Sequence, residues 1–179
     1  MSRPLDLGGR RHQAPSVSFV RVEPGPGQES VWDYPRPPRV ELVTERVCVL
    51  LDGEVVAETT RAQRVLETSH PPVYYIPRDD VRAGALEDAP GSSFCEWKGR
   101  ARYHTVRLGG RTLLRVAWSY PDPTPAFAAI RDHVAFYLDP LVGVVGDERA
   151  TPQPGRFYGG WVTSRVVGPF KGEPGTAHW

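Results

Sequence analysis

Residues 97–120 read Trp97-Lys98-Gly99-Arg100-Ala101-Arg102-Tyr103-His104-Thr105-Val106-Arg107-Leu108-Gly109-Gly110-Arg111-Thr112-Leu113-Leu114-Arg115-Val116-Ala117-Trp118-Ser119-Tyr120, the clearest element in the chain. Gly109-Gly110 is a favoured two-residue turn between two runs of alternating character, so the stretch predicts a long β-hairpin. That tip sets Leu108 opposite Arg111, Tyr103 opposite Val116, Ala101 opposite Trp118 and Gly99 opposite Tyr120. Strand alternation then places Trp97, Gly99, Ala101, Tyr103, Val116, Trp118 and Tyr120 on one face. Lys98, Arg100, Arg102, His104, Arg115 and Ser119 fall on the other, a polar face. Small residues opposite large aromatics make either a packed core or a recess. In the second case Trp97, Tyr103, Trp118 and Tyr120 wall a ligand slot with phenol and indole donors at its rim.

The flanking segments extend the β pattern. Val47–Leu51 and Glu54–Glu58 flank Asp52-Gly53, a second hairpin turn. Arg64–Thr68 reads as a short strand, and Val73–Ile76 as another, fenced by Pro72 and Pro77. Residues 78–92 read as a connection with at most one helical turn. After the long hairpin, Thr124 can cap a helix with Pro125 at its first position. Phe127, Ile130 and Val134 predict about two turns packed inward, with Val134 at the boundary of a returning strand over His133–Leu138. The expected fold is mainly β: antiparallel sheets with one short helix.

Three regions are expected. Residues 1–38 form an N-terminal extension, poorly ordered at first, with 31–38 a proline-rich strap that Trp32 and Tyr34 staple to the domain. Residues 39–141 form the core domain. Residues 142–179 are rich in Gly and Pro but carry Phe157, Tyr158, Trp161, Val166, Val167 and Phe170, so they are expected to pack on the core. The chain holds 18 glycines and 19 prolines in 179 residues, well above the average share of about 12%, which disfavours a helical bundle. A net charge of +1 argues against a nucleic-acid grip. No apolar run reaches the roughly 18 residues of a membrane span. A soluble cytoplasmic protein, monomer or homodimer, is the expectation. Lysine occurs only at Lys98 and Lys171, every other basic side chain being arginine. A retained lysine draws notice because arginine cannot replace a compact, deprotonatable ammonium.

Few residues carry recognisable chemistry. If Val65 faces the core, Glu67 is drawn under the sheet beside it and must be paired with an arginine or protonated. A desolvated carboxyl near tyrosines is one way to build a general acid or base. Lys98 and Tyr75 are its candidate polar partners, although alternation points Lys98 away from Trp97 unless a bulge or strand end intervenes. The five histidines and two cysteines have no ligand spacing, so neither a metal nor a cofactor is expected. Cys48 reads as a small buried apolar residue, and Cys95 as structural, with the Lys98 ammonium close enough in sequence to activate it. No phosphate-cradling glycine loop and no serine elbow appears.

Several motifs together resemble one family. Arg64-Val65-Leu66-Glu67-Thr68, Pro71 to Val81, Cys95-Glu96-Trp97-Lys98-Gly99, Ala117 to Pro123 and Val134-Ala135-Phe136-Tyr137 are similar to the domain of unknown function family 427 over residues 39–141. Tyr158 to Val162 and Gly168 to Gly172 resemble an extension of its actinobacterial members. The resemblance implies an antiparallel two-sheet β-tent like that of the Mss-four-like zinc proteins and methionine-R-sulfoxide reductases. Their paired Cys-x-x-Cys ligands and reductase motif are missing here, so sulfoxide reduction does not transfer. A nucleotidyltransferase-like label attached to the family lacks its Gly-Ser and paired acidic ligands in this chain. The resemblance places Glu67, Tyr75, Trp97, Lys98, Gly99, Tyr103, Trp118 and Tyr120 in the family signature and implies that the polar and aromatic members line the cleft between the sheets. The expected function is small-molecule binding by an aromatic-lined cleft. The alternatives are a cofactor-free enzyme with Glu67 as acid or base, and an interaction module using the strap and aromatic tail.

Overall fold

The computed structural model describes residues 20–176 and 178–179, so most of the stretch expected to be poorly ordered lies outside the described residues. In chain order the strands are β1 (Glu29–Ser30), β2 (Arg39–Val43), β3 (Val47–Leu51), β4 (Glu54–Thr59), β5 (Ala62–Leu66), β6 (Val73–Pro77), β7 (Leu86–Cys95) and β8 (Gly99–Leu108). They continue as β9 (Arg111–Ser119), β10 (His133–Phe136), β11 (Val142–Val145), β12 (Glu148–Arg149), β13 (Thr151–Pro152), β14 (Trp161–Val162) and β15 (Val166–Val167). A seven-stranded antiparallel sheet runs β2-β5-β6-β10-β9-β8-β7, and a four-stranded one runs β12-β11-β3-β4. The small parallel pair β1·β15 ties the two terminal regions together, and the antiparallel pair β13·β14 lies within the C-terminal region.

The two large sheets bury a common core. Val47, Val49, Leu51, Val56 and Ala57 from the smaller sheet meet Tyr74, Ile76, Val106, Ala117, Val134 and Phe136 from the larger. Burial of each large side chain here stabilises by about 1.5–3 kcal/mol. Trp161, 1% exposed, joins this core from the C-terminal region and donates its indole N–H to the Phe136 carbonyl at 3.1 Å. Gly143 makes room for it, since a Cβ there would lie 2.7 Å from the indole ring.

A second cluster covers the other face of the seven-stranded sheet. Val65, Tyr75, Ala101, Trp118, Tyr120 and Ala135 pack there beneath Phe127 and Ile130. Those two residues come from a six-residue 3-10 helix, Pro125–Ile130, and not from the two α-turns expected through Val134. Their i, i+3 spacing suits either geometry. Val134 belongs to β10, and Thr124 donates its hydroxyl to the Trp97 carbonyl in place of capping the helix.

Three further expectations are corrected. Residues 86–92 were expected in a connection, but they belong to a ten-residue edge strand, Leu86–Cys95, whose register shifts between Ala89 and Ser92, at Pro90-Gly91. Edge position and a bulge are where a sheet tolerates proline. The long hairpin pairs from its tip as expected as far as Val106 with Leu113. A bulge then shifts it, so that Tyr103 lies opposite Trp118 and His104 opposite Ala117. Arg115 sits in the bulge at φ 55, its guanidinium 4.4 Å from the centre of the Tyr103 ring, while Val116 packs toward the inter-sheet core. These two residues therefore exchange the faces assigned to them by simple alternation. Finally, the polar face of the hairpin is solvated only in part: His104 and Ser119 on it are buried.

Truncating Trp161 tests whether the C-terminal region is integral to the fold. Trp161→Ala is expected to cost about 3–5 kcal/mol in urea denaturation, as for a core indole. A loss below about 1 kcal/mol would show that the inter-sheet core stands without it.

Candidate functional site

The strand β5 ends at Leu66, and Glu67 begins a tight turn closed by His70 N–H donating to the Glu67 carbonyl at 3.0 Å. Both terminal regions grip this turn. From the N-terminal side, Ser69 N–H donates to the Val31 carbonyl, and the Thr68 hydroxyl donates to that of Tyr34 at 2.6 Å. Trp32 locks the strap in turn by donating its indole N–H to the Pro169 carbonyl. From the C-terminal side, Lys171 N–H donates to the Ser69 carbonyl at 2.8 Å.

The buried Gln153 amide fixes the chemistry of His70. Gly160 N–H donates to Gln153 Oε1 at 3.1 Å, which sets the amide orientation. Its Nε2 then donates to the Lys171 carbonyl at 2.8 Å and faces His70 Nδ1 at 3.0 Å. A carboxamide nitrogen can only donate, so His70 Nδ1 accepts and the ring proton resides on Nε2. Burial pushes the His70 pKa down from 6.5 to about 4, and the positive charges of Lys171, Arg36 and Lys98 push in the same direction. The charges of both lysines and of the strap residue Arg36 thus all disfavour a proton on this imidazole. The Tyr158 ring meets it edge-on at 4.6 Å.

The sequence-predicted residues divide around this centre. Trp118, Tyr75, Tyr120, Trp97 and Tyr103 share the second apolar cluster, on the face of the large sheet turned away from the smaller sheet. They do not lie between the sheets, where valine, leucine and isoleucine side chains pack with Tyr74, Phe136 and Trp161. Trp118 is covered: the Tyr137 ring lies 4.4 Å from it, and a Cβ on Gly159 would fall 2.0 Å from its indole. Tyr75 is 1% exposed, and burial raises its hydroxyl far above the ordinary range, so it stays protonated. Tyr120 is raised likewise. A phenol that cannot ionise is a hydrogen-bond donor, not a base. Tyr103 donates its hydroxyl to Ser93 Oγ at 2.9 Å.

Glu67 lies just beyond the strand instead of under the sheet. Its side chain is 21% exposed, with the Arg36 guanidinium at 3.6 Å, and its charge is felt by Tyr75. Lys98 occupies the turn between β7 and β8, where Gly99 adopts φ 96, so strand alternation does not govern it. Its ammonium sits 5.9 Å from the centre of the Tyr120 ring and 5.7 Å from that of Phe127, on the aromatic side. Lys98 is 9% exposed, and among the described residues no carboxylate lies within ion-pair distance of it. His70, Gln153, Tyr158 and Arg36 were not singled out from sequence. Lys171 carried one signal, its rarity.

The chain belongs to the family described as Domain of unknown function (DUF427), whose model matches residues 39–147. No curated protein matches the chain significantly. Among the described residues no group of three or more His, Cys, Asp or Glu side chains is placed to hold a metal ion, and no helix is long and apolar enough to cross a membrane.

The depressed His70 pKa has a defined pH signature. The unfolded chain takes up a proton near pH 6.5 that the folded chain refuses until about pH 4. This contribution to stability is whole above pH 6.5, declines as pH falls, and is lost below pH 4. Its full size is on the order of 3 kcal/mol. His70→Gln is expected to flatten the stability profile between pH 4 and 6.5. A variant profile parallel to that of the parent would place the titration elsewhere.

Proposed function

We propose that this DUF427 member is a small-molecule-binding domain that takes a small organic anion, carboxylate in type, at the face formed by Lys98, His70 and Lys171. The observation that carries this reading is the Lys98 ammonium, on a side chain only 9% exposed, set against two aromatic rings and given no anionic partner among the described residues. Two aromatic faces supply about 0.5–2 kcal/mol of cation–π attraction. The rings do not neutralise the charge, and a bound anion would supply the counter-ion it lacks. Lys171 and Arg36 add positive potential, although the Lys171 ammonium also donates to the Trp179 carbonyl oxygen and Arg36 pairs with Glu67. The neutral His70 carries its proton on Nε2, a donor that complements the same ligand. Trp118, Tyr120, Trp97 and Tyr103 form the apolar floor beneath, in place of walls between the sheets.

Glu67 in this reading holds Arg36 at the rim and is not the acid or base. The pairing with Arg36 and the permanently protonated Tyr75 both favour binding over proton transfer.

Binding and stability should move in opposite directions in Lys98→Met. A thermal-shift and calorimetric panel of small mono- and dicarboxylates, with inorganic phosphate beside them, is expected to yield a carboxylate that raises the melting temperature of the parent. Lys98→Met should weaken that binding at least tenfold while leaving the unliganded domain as stable or stabler, since an unpaired charge on a mostly buried side chain is replaced by an apolar chain of similar size. No stabilising anion, together with a destabilised Lys98→Met, would make Lys98 a structural residue and end this reading.

A further inference from the structure

The opposite face of the β8–β9 pair holds a second array. His104 on β8 and Ser119 on β9 alternate with Tyr103 and Trp118, so they point away from the aromatic cluster. His104 Nε2 lies 2.7 Å from Ser119 Oγ, and His104 Nδ1 lies 3.1 Å from Asp88 Oδ1 on the neighbouring strand β7. The carboxylate can only accept, so Nδ1 carries the ring proton and Nε2 is left to accept from the serine hydroxyl. His104 is 1% exposed, which holds the ring in one orientation. The three groups adjoin a cavity of about 280 Å³ whose lining also includes Arg78, Arg102 and His133.

A histidine packed only to satisfy its ring nitrogens needs no cavity at its serine. Here the hydroxyl, the base, the carboxylate and two guanidinium donors meet at one opening. The tautomer is that required of a general base, and it is set by the carboxylate as in a nucleophilic triad. We propose that Ser119, His104 and Asp88 form a nucleophilic site that hydrolyses small carboxylic esters. Ser119 Oγ is the nucleophile, His104 the base, and Asp88 the positioning residue. Arg78 and Arg102 are the donors available to a developing oxyanion.

The chemistry balances without a co-reactant other than water. Ser119 Oγ bonds to the ester carbonyl carbon while its proton passes to His104 Nε2. The carbon–alkoxy bond breaks, and the alcohol leaves with that proton, which leaves an acyl ester on Ser119. Water then adds to the acyl carbon, giving a proton to His104. The acyl–Oγ bond breaks, the carboxylic acid departs, and His104 returns the proton to Ser119.

The test treats the full chain with a fluorophosphonate and, separately, with p-nitrophenyl acetate. The expected result is fluoride displacement with the phosphonyl group on the peptide containing Ser119, and p-nitrophenolate release that increases with pH as His104 deprotonates. His104→Gln should slow both at least tenfold, and Asp88→Asn should shift the pH profile of ester cleavage, which a merely structural carboxylate would not do. Ser119→Cys guards against a serine variant that fails to fold: its new thiol should react with iodoacetamide at least tenfold faster than the native Cys95. An adduct on another residue, or rates unchanged in His104→Gln, would overturn the proposal. So would an unlabelled Ser119 combined with an unreactive thiol in Ser119→Cys.

Discussion

The side-chain amide of Gln153 is the constraint on which the candidate binding site depends. It is 2% exposed and satisfies all its contacts inside the protein: Gly160 N–H, the Lys171 carbonyl and His70 Nδ1. An amide used in this way cannot turn over, because reversing it would set a nitrogen against Gly160 N–H and an oxygen against the Lys171 carbonyl. Its orientation therefore dictates the His70 tautomer, and the backbone it binds carries Lys171 to the same place. The turn at residues 67–70 is the anvil, held by the strap on one side and by the C-terminal region on the other. Lys98 arrives independently, from a turn at the far end of the seven-stranded sheet.

Charge placed this way costs stability. Three cations around one partly buried imidazole repel each other and suppress its protonation. Many arginines among the described residues are paired: Arg64 bonds Glu29 and Glu41, Arg61 bonds Asp80, and Arg165 bonds Glu45. The protein thus has the means to neutralise basic groups and uses it widely. Against that background, an ammonium set on two aromatic rings with no carboxylate is the feature from which the proposed anion site is argued.

The strands most legible in the sequence were those with turns that specify themselves. Asp52-Gly53 and Gly109-Gly110 fix both hairpins, and Val73–Pro77 is fenced by its prolines. The bulge at Arg115 left no such mark, because the residues opposite Thr105 are ordinary strand formers and only the twist of the assembled sheet decides which one bulges. The edge strand β7 was hidden by Pro90-Gly91, which in isolation reads as a turn. The aromatic face was visible as a set, yet which side of the sheet it occupies was not. Alternation separates two faces without saying which one the second sheet will cover. His70 was out of reach for a different reason: its character is set by Gln153 and Lys171, which local pattern cannot connect to it across so much chain.

The two sites share a framework and nothing else. Tyr103 and Trp118 belong to the aromatic cluster beneath the proposed anion site, while their immediate neighbours His104 and Ser119 line the opposite cavity. A strand pair with a period of two can serve both faces without compromise, provided each is covered by a different layer. Here the 3-10 helix and the C-terminal region cover one face, and the four-stranded sheet covers most of the other, leaving the end near Pro121 and Asp132 open. Asp88 is the weak member of that second array, because β7 is the sheet edge and its carboxylate is 71% exposed. Asp88 favours a protonated His104, but solvent screens that pull, so it is burial of the imidazole that keeps the base neutral. An array built in this way has its serine and histidine fixed by the sheet and its third member tuned by the solvent.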